Sequence, residues 1–188
     1  MKRMGCVLLA MLCVSSRAVA QANPSATAAA TVPARPADVA SVDAIIAALY
    51  DANTIMVDQK RDVDRFRSLF VPGARLMPTA GGPTGRSIIR IETVDEYVSQ
   101  ASGGPPRHGF SEREIARTSQ AFGNIVQVFS TYETHRDSSD TNPVHGINSI
   151  QLFNDGSRWW VVGVLWDNER PGKAIPPEYL KRRPPGLR

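Results

Sequence analysis

Two segments in the first half of the chain carry apolar residues at helical spacing. In SVDAIIAALYDANTIM (41–56), Ile45, Leu49 and Met56 recur at roughly helical spacing, and Ser41 precedes them as the predicted N-cap. In KRDVDRFRSLF (60–70), the apolar residues form one stripe and the charged residues lie opposite. Both segments are therefore predicted to be amphipathic helices that bury one face.

The middle of the chain combines short extended segments with a third helix. ARLMPT (74–79) and RSIIRI (86–91) flank a glycine-rich turn, and each is predicted to be a strand. TVDEYVSQAS (93–102) is predicted to be a short helix. Thr93 and Glu96 have the spacing of a capping box, in which each side chain bonds the backbone N–H of the other residue.

After the GGPP break at 103–106 the pattern changes to the period of two that is typical of strands. Turn clusters separate four long segments, and the Asp155-Gly156 pair before the last one is a strong hairpin signal. The predicted strands are 112–122, 124–136, 146–153 and 158–167. Helices followed by long antiparallel strands predict an α+β fold, with the N-terminal helices packed on one face of a curved sheet.

Residues 1–20 have the pattern of a secretory signal peptide. Lys2 and Arg3 precede an apolar run, and the small residues of Ala18-Val19-Ala20 form a cleavage site before Gln21. The run is shorter than the ~20 residues that a membrane-spanning helix needs. We therefore expect an exported protein, periplasmic or secreted, with no membrane anchor once the signal is removed.

Composition divides the remaining chain into three parts. Residues 21–37 are Ala, Pro, Thr and Ser and are predicted to be a disordered linker, 38–170 form one domain, and 171–188 are a Pro-rich basic tail. Both cysteines, Cys6 and Cys13, belong to the predicted signal. The domain must therefore be stabilised by a packed core and not by disulfides.

The distribution of charge along the chain argues against nucleic acid as a partner. The formal net charge is +4, and removal of Lys2, Arg3 and Arg17 with the signal leaves +1. The tail contributes +4 to the mature chain through Lys181, Arg182, Arg183 and Arg188, since Lys173 and Glu178 cancel each other. The high isoelectric point is thus a property of the two ends, and we expect no binding to nucleic acid.

The order of helices and strands resembles the nuclear-transport-factor-2-like superfamily, and within it the SnoaL-like proteins. The likeness covers about residues 40–170. The segments that carry it are AALYDANTIMVDQKRDVDRFRSLFVPGARL, FGNIVQVFSTYETH and GINSIQLFNDGSRWWVVGVLWDNE. The resemblance implies a cone-shaped fold with a pocket between the concave face of the sheet and the helices. It does not imply one activity, because the superfamily includes isomerases, dehydratases, hydrolases, cyclases and non-catalytic binding modules.

The resemblance also implies which positions face the pocket. The ketosteroid-isomerase branch has its pocket at positions that correspond to Val128, Ser130, Tyr132, Gln151 and Trp166. The catalytic positions of that branch are occupied here by Ile45, by Met77 or Pro78, and by Gln151. Since none of these is the catalytic group of that branch, its mechanism of proton abstraction is not expected in this chain.

All three tryptophans of the chain fall in the last predicted strand. Strict alternation places Trp160 and Trp166 on one face, and Trp159 and Val161 on the other. Together with the pocket positions that the resemblance implies, this alternation predicts a ligand-binding site of Trp166, Tyr132, Gln151, Ser130 and Trp160. Gln151 is expected to be a buried polar anchor, and Trp160 to lie deeper than Trp166.

Other polar clusters receive structural interpretations. His108, His135 and His145 lack the spacing of metal ligands, and no metal or cofactor is expected. Glu133 and His135 share a strand face and are interpreted as an ion pair at the end of a hairpin. The charged residues of the strand 112–122 are interpreted as a solvated mixed-charge run, with an anionic ligand on Arg113 or Arg117 as the alternative: Glu112, Arg113, Glu114 and Arg117.

Three functions stay open. The first is binding of a small apolar or aromatic molecule, with catalysis unproven. The second is a non-catalytic module that binds itself or another partner, and the third is a lyase, isomerase or hydrolase that uses polar pocket residues. A homodimer is predicted through the convex face of the sheet, where Phe129, Ile125, Trp159 and Val161 are expected to be exposed.

Overall fold

A computed structural model describes residues 32–56, 59, 61–81, 85–100, 109–136 and 140–181. The predicted signal peptide, most of the predicted linker and the last seven residues of the tail (182–188) lie outside the described residues. The described helices are α1 (Val42–Asn53), α2 (Val63–Ser68) and α3 (Val94–Gln100). The described strands are β1 (Phe70–Gly81), β2 (Ser87–Ile89), β3 (Glu92–Thr93), β4 (Ser111–Phe122), β5 (Ile125–His135), β6 (Val144–Asn154) and β7 (Trp159–Asn168).

The two predicted helix caps are confirmed. The Ser41 side chain accepts a hydrogen bond of 3.1 Å from the backbone N–H of Ala44 and so begins α1. Before α3, the Glu96 N–H donates to Thr93 Oγ1 at 3.1 Å, and the Thr93 N–H donates to the Glu96 carboxylate at 2.7 Å. The second helix is shorter than predicted, because Phe70 already belongs to β1.

The strands form one mixed sheet in the order β2-β1-β7-β6-β5-β4, and β3 pairs with β1. The four long strands from β4 to β7 pair antiparallel, as predicted, whereas β1 runs parallel to β7. Helices and a largely antiparallel sheet make this an α+β protein, the predicted class. In the described residues, no helix is long and apolar enough to cross a membrane.

The core lies between the helices and one face of the sheet, which we call the inner face. Side chains from α1 and from the long strands belong to one buried cluster and are almost completely excluded from solvent. They include Ile45, Ile46, Val128, Ile150, Leu152 and Val161. The opposite surface of the sheet is called the outer face.

A β-bulge in β7 changes which tryptophans face the core. Leu152 of β6 pairs with Val161 and Gln151 pairs with Gly163, so Val162 is an extra residue. Trp159 and Trp166 therefore both pack against the core, on either side of the bulge. The prediction of strict alternation along this strand is wrong, because one extra residue inverts the phase of every side chain beyond it.

The C-terminal segment 171–181 lies on the outer face. Thr131 donates a hydrogen bond of 2.6 Å to the carbonyl of Tyr179, and the rings of Phe129 and Tyr179 lie 5.7 Å apart. This part of the predicted tail therefore covers Phe129. The prediction that Trp159 and Val161 are exposed on the convex face is also wrong, since both side chains contribute to the core on the inner face.

Candidate functional site

A cavity of about 670 Å³ opens between the inner face of the sheet and the helices. This volume falls in the range of small-molecule sites, which measure roughly 300–1,000 Å³. Both polar and apolar side chains form its walls, and the apolar and aromatic ones include Leu49, Phe66, Leu76, Tyr97, Val164 and Trp166. Helices α1, α2 and α3 and strands β1 and β7 supply these groups, so the pocket exists only once the helices have packed on the sheet.

Two carboxylate residues line this pocket, Asp140 and Glu112 of β4, and the hydrogen-bond partners of Glu112 are neutral. Asn148 donates from its side-chain amide to Glu112 Oε1 at 3.1 Å, and Asn53 donates to Oε2 at 3.2 Å. The Tyr97 hydroxyl in turn donates to the Asn53 carbonyl oxygen at 3.1 Å. Each carboxylate oxygen is thus held by one amide, and α1, α3, β4 and β6 all contribute to this arrangement.

Burial dominates the acidity of Glu112. Removal from water disfavours the charged carboxylate and raises the pKa of Glu112 from 4.5 to about 7. The amides of Asn148 and Asn53, and the positive charge of Arg61, oppose this shift without cancelling it. A carboxyl group with a pKa near neutrality is populated in both protonation states and is suited to general acid–base chemistry.

A second set of hydrogen bonds extends from Asn148 into the core. Its amide nitrogen also donates to the Tyr50 hydroxyl at 3.1 Å, and this hydroxyl lies 2.7 Å from Ser130 Oγ. Ser130 then donates to the carboxylate of Glu114. Glu114 forms a bidentate ion pair with Arg117, with N–O distances of 2.9 and 2.6 Å.

Two of the predicted site residues line the pocket. The Tyr132 hydroxyl donates to the Asn168 side chain at 2.5 Å, and burial raises the pKa of Tyr132 further above its usual value. Trp166 forms part of the wall and meets Tyr97 edge to face. Ser130 is completely buried behind Tyr50, so it contacts the pocket only through other residues.

The other two predicted site residues lie elsewhere. Gln151 is exposed on the outer face, opposite Gln127 of β5, and the expectation of a buried polar anchor there is wrong. Asn148 occupies the polar position on the inner face of β6 instead. Trp160 is on the outer side, where its indole N–H donates to Asp155 at 2.7 Å and Arg158 stacks over its ring at 3.6 Å.

Glu112 was missed because a bulge in β4 changes its face. The turn at Gly123 pairs Phe122 with Ile125, and regular pairing from there would place Glu112 opposite His135, an outer-face residue. Ile115 is an extra residue, so Glu112 instead pairs with Thr134 and faces inward. The interpretation of Glu112 and its neighbours as a solvated run is therefore wrong for this carboxyl group.

The ion pair predicted at the end of a hairpin is confirmed, and it lies on the outer face of the sheet. The Glu133 carboxylate lies 2.8 Å from His135 Nε2 and 2.6 Å from an Arg113 guanidinium nitrogen. These two contacts lower the pKa of Glu133, and the carboxylate raises the pKa of His135. Among the described residues, no group of three His, Cys, Asp or Glu side chains is arranged to hold a metal ion. His108 lies outside these residues.

Comparison with known proteins returns solved structures only. No family model matches the chain, and no curated protein matches it. An NTF2-like protein of unknown function from Silicibacter pomeroyi DSS-3 is 11% identical with a TM-score of 0.46, covering 69% of this chain and 94% of its own.

Two further NTF2-like proteins of unknown function are similar. One from Shewanella baltica OS155 is 11% identical with a TM-score of 0.45, covering 67% of this chain and 89% of its own. One from Methylobacillus flagellatus KT is 12% identical with a TM-score of 0.45, covering 69% of this chain and 95% of its own.

Proposed function

We propose that the chain is an exported, SnoaL-like member of the NTF2-like superfamily that binds a small molecule in the pocket around Glu112. The signal-peptide pattern of residues 1–20 supports export to the periplasm or the medium. The order of helices and strands and the pocket between them support the family. The aromatic and aliphatic walls favour a ligand with a largely apolar or aromatic body.

One observation carries the chemical part of the proposal. The Glu112 carboxyl group lies inside the pocket, with the two amides of Asn53 and Asn148 as its hydrogen-bond partners. No described cationic side chain forms an ion pair with it, and burial raises its pKa to about 7. A group in this state exchanges a proton with a polar atom of the ligand at neutral pH. The reaction class that it would serve is proton transfer, as in a lyase or an isomerase.

A fluorescence titration with 2-naphthol tests this function. The probe combines an aromatic body with one hydroxyl group, and Trp166 in the pocket wall reports its binding. We expect affinity to increase as the pH rises through about 7, because an ionised Glu112 accepts a stronger hydrogen bond than a neutral one. Glu112→Gln should bind the probe with little dependence on pH between 5 and 8.

Glu133→Gln is the matched control, because it removes a carboxylate from the outer face of the neighbouring strand β5, opposite the pocket. It should retain the pH profile of the unmodified protein. Binding of 2-naphthol is expected to quench the fluorescence of Trp166. A Trp166→Phe variant should therefore show less quenching, although calorimetry should still detect binding of the probe. If the unmodified protein bound 2-naphthol equally well at every pH, the role of Glu112 would be refuted.

A second candidate function is self-association through the outer face. Phe122 and Ile125, which pair at the turn between β4 and β5, are 84% and 58% exposed. Phe153, Val162 and Leu165 extend the apolar surface along the neighbouring strands. An exposed apolar surface of this kind is typical of an interface, and a two-fold homodimer is the simplest way to cover it.

A further inference from the structure

We infer that Tyr50, Ser130 and Glu114 are positioning residues that hold the Asn148 amide in one orientation, so that its carbonyl oxygen is presented to the pocket and selects a ligand with a hydrogen-bond donor. This inference deepens the proposed function, since it names the polar group that the ligand must carry beside Glu112. Ser130 and Glu114 lie behind the pocket wall, whereas Tyr50 and Asn148 line the pocket.

The direction of the hydrogen bonds is determined at the end of the network farthest from the pocket. Both oxygens of the Glu114 carboxylate accept hydrogen bonds from the Arg117 guanidinium, and a carboxylate only accepts hydrogen bonds. Ser130 has a single hydroxyl hydrogen and donates it to Glu114. Ser130 Oγ can therefore only accept in its contact with Tyr50.

Tyr50 must in turn donate its hydroxyl hydrogen to Ser130, across 2.7 Å. Its oxygen is then an acceptor toward Asn148, and the group that faces it at 3.1 Å is the amide nitrogen. The second hydrogen of that nitrogen is donated to Glu112 Oε1 at 3.1 Å. Both N–H groups of Asn148 are thus directed at the protein.

The reverse orientation of Asn148 is disfavoured at both contacts. It would place the amide oxygen against the Tyr50 oxygen, whose hydrogen is committed to Ser130, and against the Glu112 carboxylate. Two acceptors in contact inside a protein lose the hydrogen bonds that they would form with water. The charge on Glu114 therefore determines the orientation of an amide three hydrogen bonds away.

The amide oxygen of Asn148 is the one polar atom of this side chain that is left to contact a ligand. Asn148 lines the pocket, and none of the described residues donates a hydrogen bond to its carbonyl oxygen. An unpaired acceptor in a pocket wall favours a ligand donor, such as the hydroxyl of an alcohol or a phenol, and disfavours an ether of the same shape. The ligand class is therefore a small apolar or aromatic molecule that carries a hydroxyl or an N–H group.

Two variants test the positioning role without a change of charge. Ser130→Ala removes the link between Tyr50 and Glu114, and Tyr50→Phe removes the hydroxyl that holds Asn148. In the ligand-free protein, carbon-13 NMR of labelled glutamate carboxyl groups measures the titration of Glu112. We expect each variant to raise the pKa of Glu112 by about one unit, because an amide that is free to turn no longer stabilises the carboxylate.

Ser68→Ala is the matched control. Ser68 is equally buried, and its hydroxyl donates to the Arg65 carbonyl in α2, away from the network. This variant should leave the Glu112 titration unchanged, although it also loses a buried hydrogen bond. Circular dichroism establishes that each variant is folded, and Tyr50→Phe, which keeps the ring in the core, replaces Ser130→Ala if the latter fails to fold.

Selectivity is measured as the ratio of affinities for 2-naphthol and 2-methoxynaphthalene, which differ in the donor hydrogen. We expect the unmodified protein to prefer 2-naphthol by roughly tenfold or more, and both network variants to reduce this ratio. A folded network variant with an unchanged Glu112 titration would overturn the positioning role. If neither naphthalene binds the unmodified protein, the proposed function and the ligand selectivity fail, and the titration alone decides the positioning role.

Discussion

The ring of Tyr97 meets the indole of Trp166 edge to face, with the ring centroids 6.0 Å apart and the planes at 85°. Tyr97 belongs to α3 and Trp166 to β7, so this contact joins a helix to the sheet at the wall of the pocket. The three tryptophans consequently differ in role. Trp166 forms pocket wall, Trp159 packs against the core, and Trp160 lies on the outer side against Asp155.

Stability should depend on pH through Glu112. Because burial raises the pKa of Glu112 from 4.5 to about 7, the folded protein holds this proton more tightly than the unfolded chain does. Its contribution to stability is complete below pH 4.5 and is lost as the pH rises through about 7. We expect the loss to amount to about 3 kcal/mol.

Urea unfolding of the unmodified protein and of Glu112→Gln at pH 5 and pH 8 measures this effect. From pH 5 to pH 8, the free energy of unfolding should decrease in the unmodified protein. The decrease should be smaller in Glu112→Gln. Parallel pH dependences in the two proteins would contradict the assignment of a near-neutral pKa to Glu112.

Gly146 should not tolerate any side chain. A Cβ atom at this position would lie 2.3 Å from the Tyr132 hydroxyl and 2.7 Å from the backbone carbonyl of Asp167. Since the backbone of β7 cannot easily move away, Gly146→Ala should destabilise the fold by ~3 kcal/mol. Gly81→Ala is the control, because no atom outside its own chain neighbours lies within 4 Å of its Cβ position, and its midpoint of thermal unfolding should be nearly unchanged.

Two substitutions of amides in the same strand should have opposite outcomes. Asn148→Leu leaves Glu112 and Tyr50 without their shared donor, and it should cost ~1–3 kcal/mol of stability and weaken 2-naphthol binding. Gln151→Leu changes an exposed residue on the outer face and should alter stability by about 0.5 kcal/mol or less, with unchanged affinity. An effect of Gln151→Leu on binding would contradict the location of the site.

The outer face should mediate association of two copies. Light scattering at micromolar concentration is expected to give the mass of a dimer. Phe122→Glu places a charge on the most exposed apolar residue of this face and should shift the equilibrium to the monomer. Ala47→Glu, on the exposed side of α1, is the control and should remain dimeric. A monomer in the unmodified protein would refute the interface.

Export should produce a mature chain that begins at Gln21 or within one or two residues of it. The intact mass of the protein recovered from outside the cytoplasm measures the cleavage position. A Lys2→Glu/Arg3→Glu variant should be exported less efficiently, because the positive n-region is lost. Recovery of chains that retain Met1 in the exported fraction would be incompatible with a cleaved signal.

Features that depend on neighbours in the chain could be predicted from the sequence alone. The caps at Ser41 and at Thr93–Glu96 join residues three positions apart, and the turn at Asp155-Gly156 depends on local backbone preferences. The α+β class follows from the change of hydrophobic period along the chain. These interactions are short-range, so the residues that make them can be recognised without knowledge of the rest of the fold.

The members of the site were decided by the tertiary structure. Extra residues at Ile115 and Val162 each invert the alternation of a strand, which turns Glu112 inward and moves Trp160 outward. A bulge is stabilised by its pairing with the neighbouring strand. It therefore cannot be recognised from the alternation of side chains within one strand. The pocket then acquires its proton-binding group through contacts between α1, β4 and β6, elements that are distant in sequence and adjacent only after the core has formed.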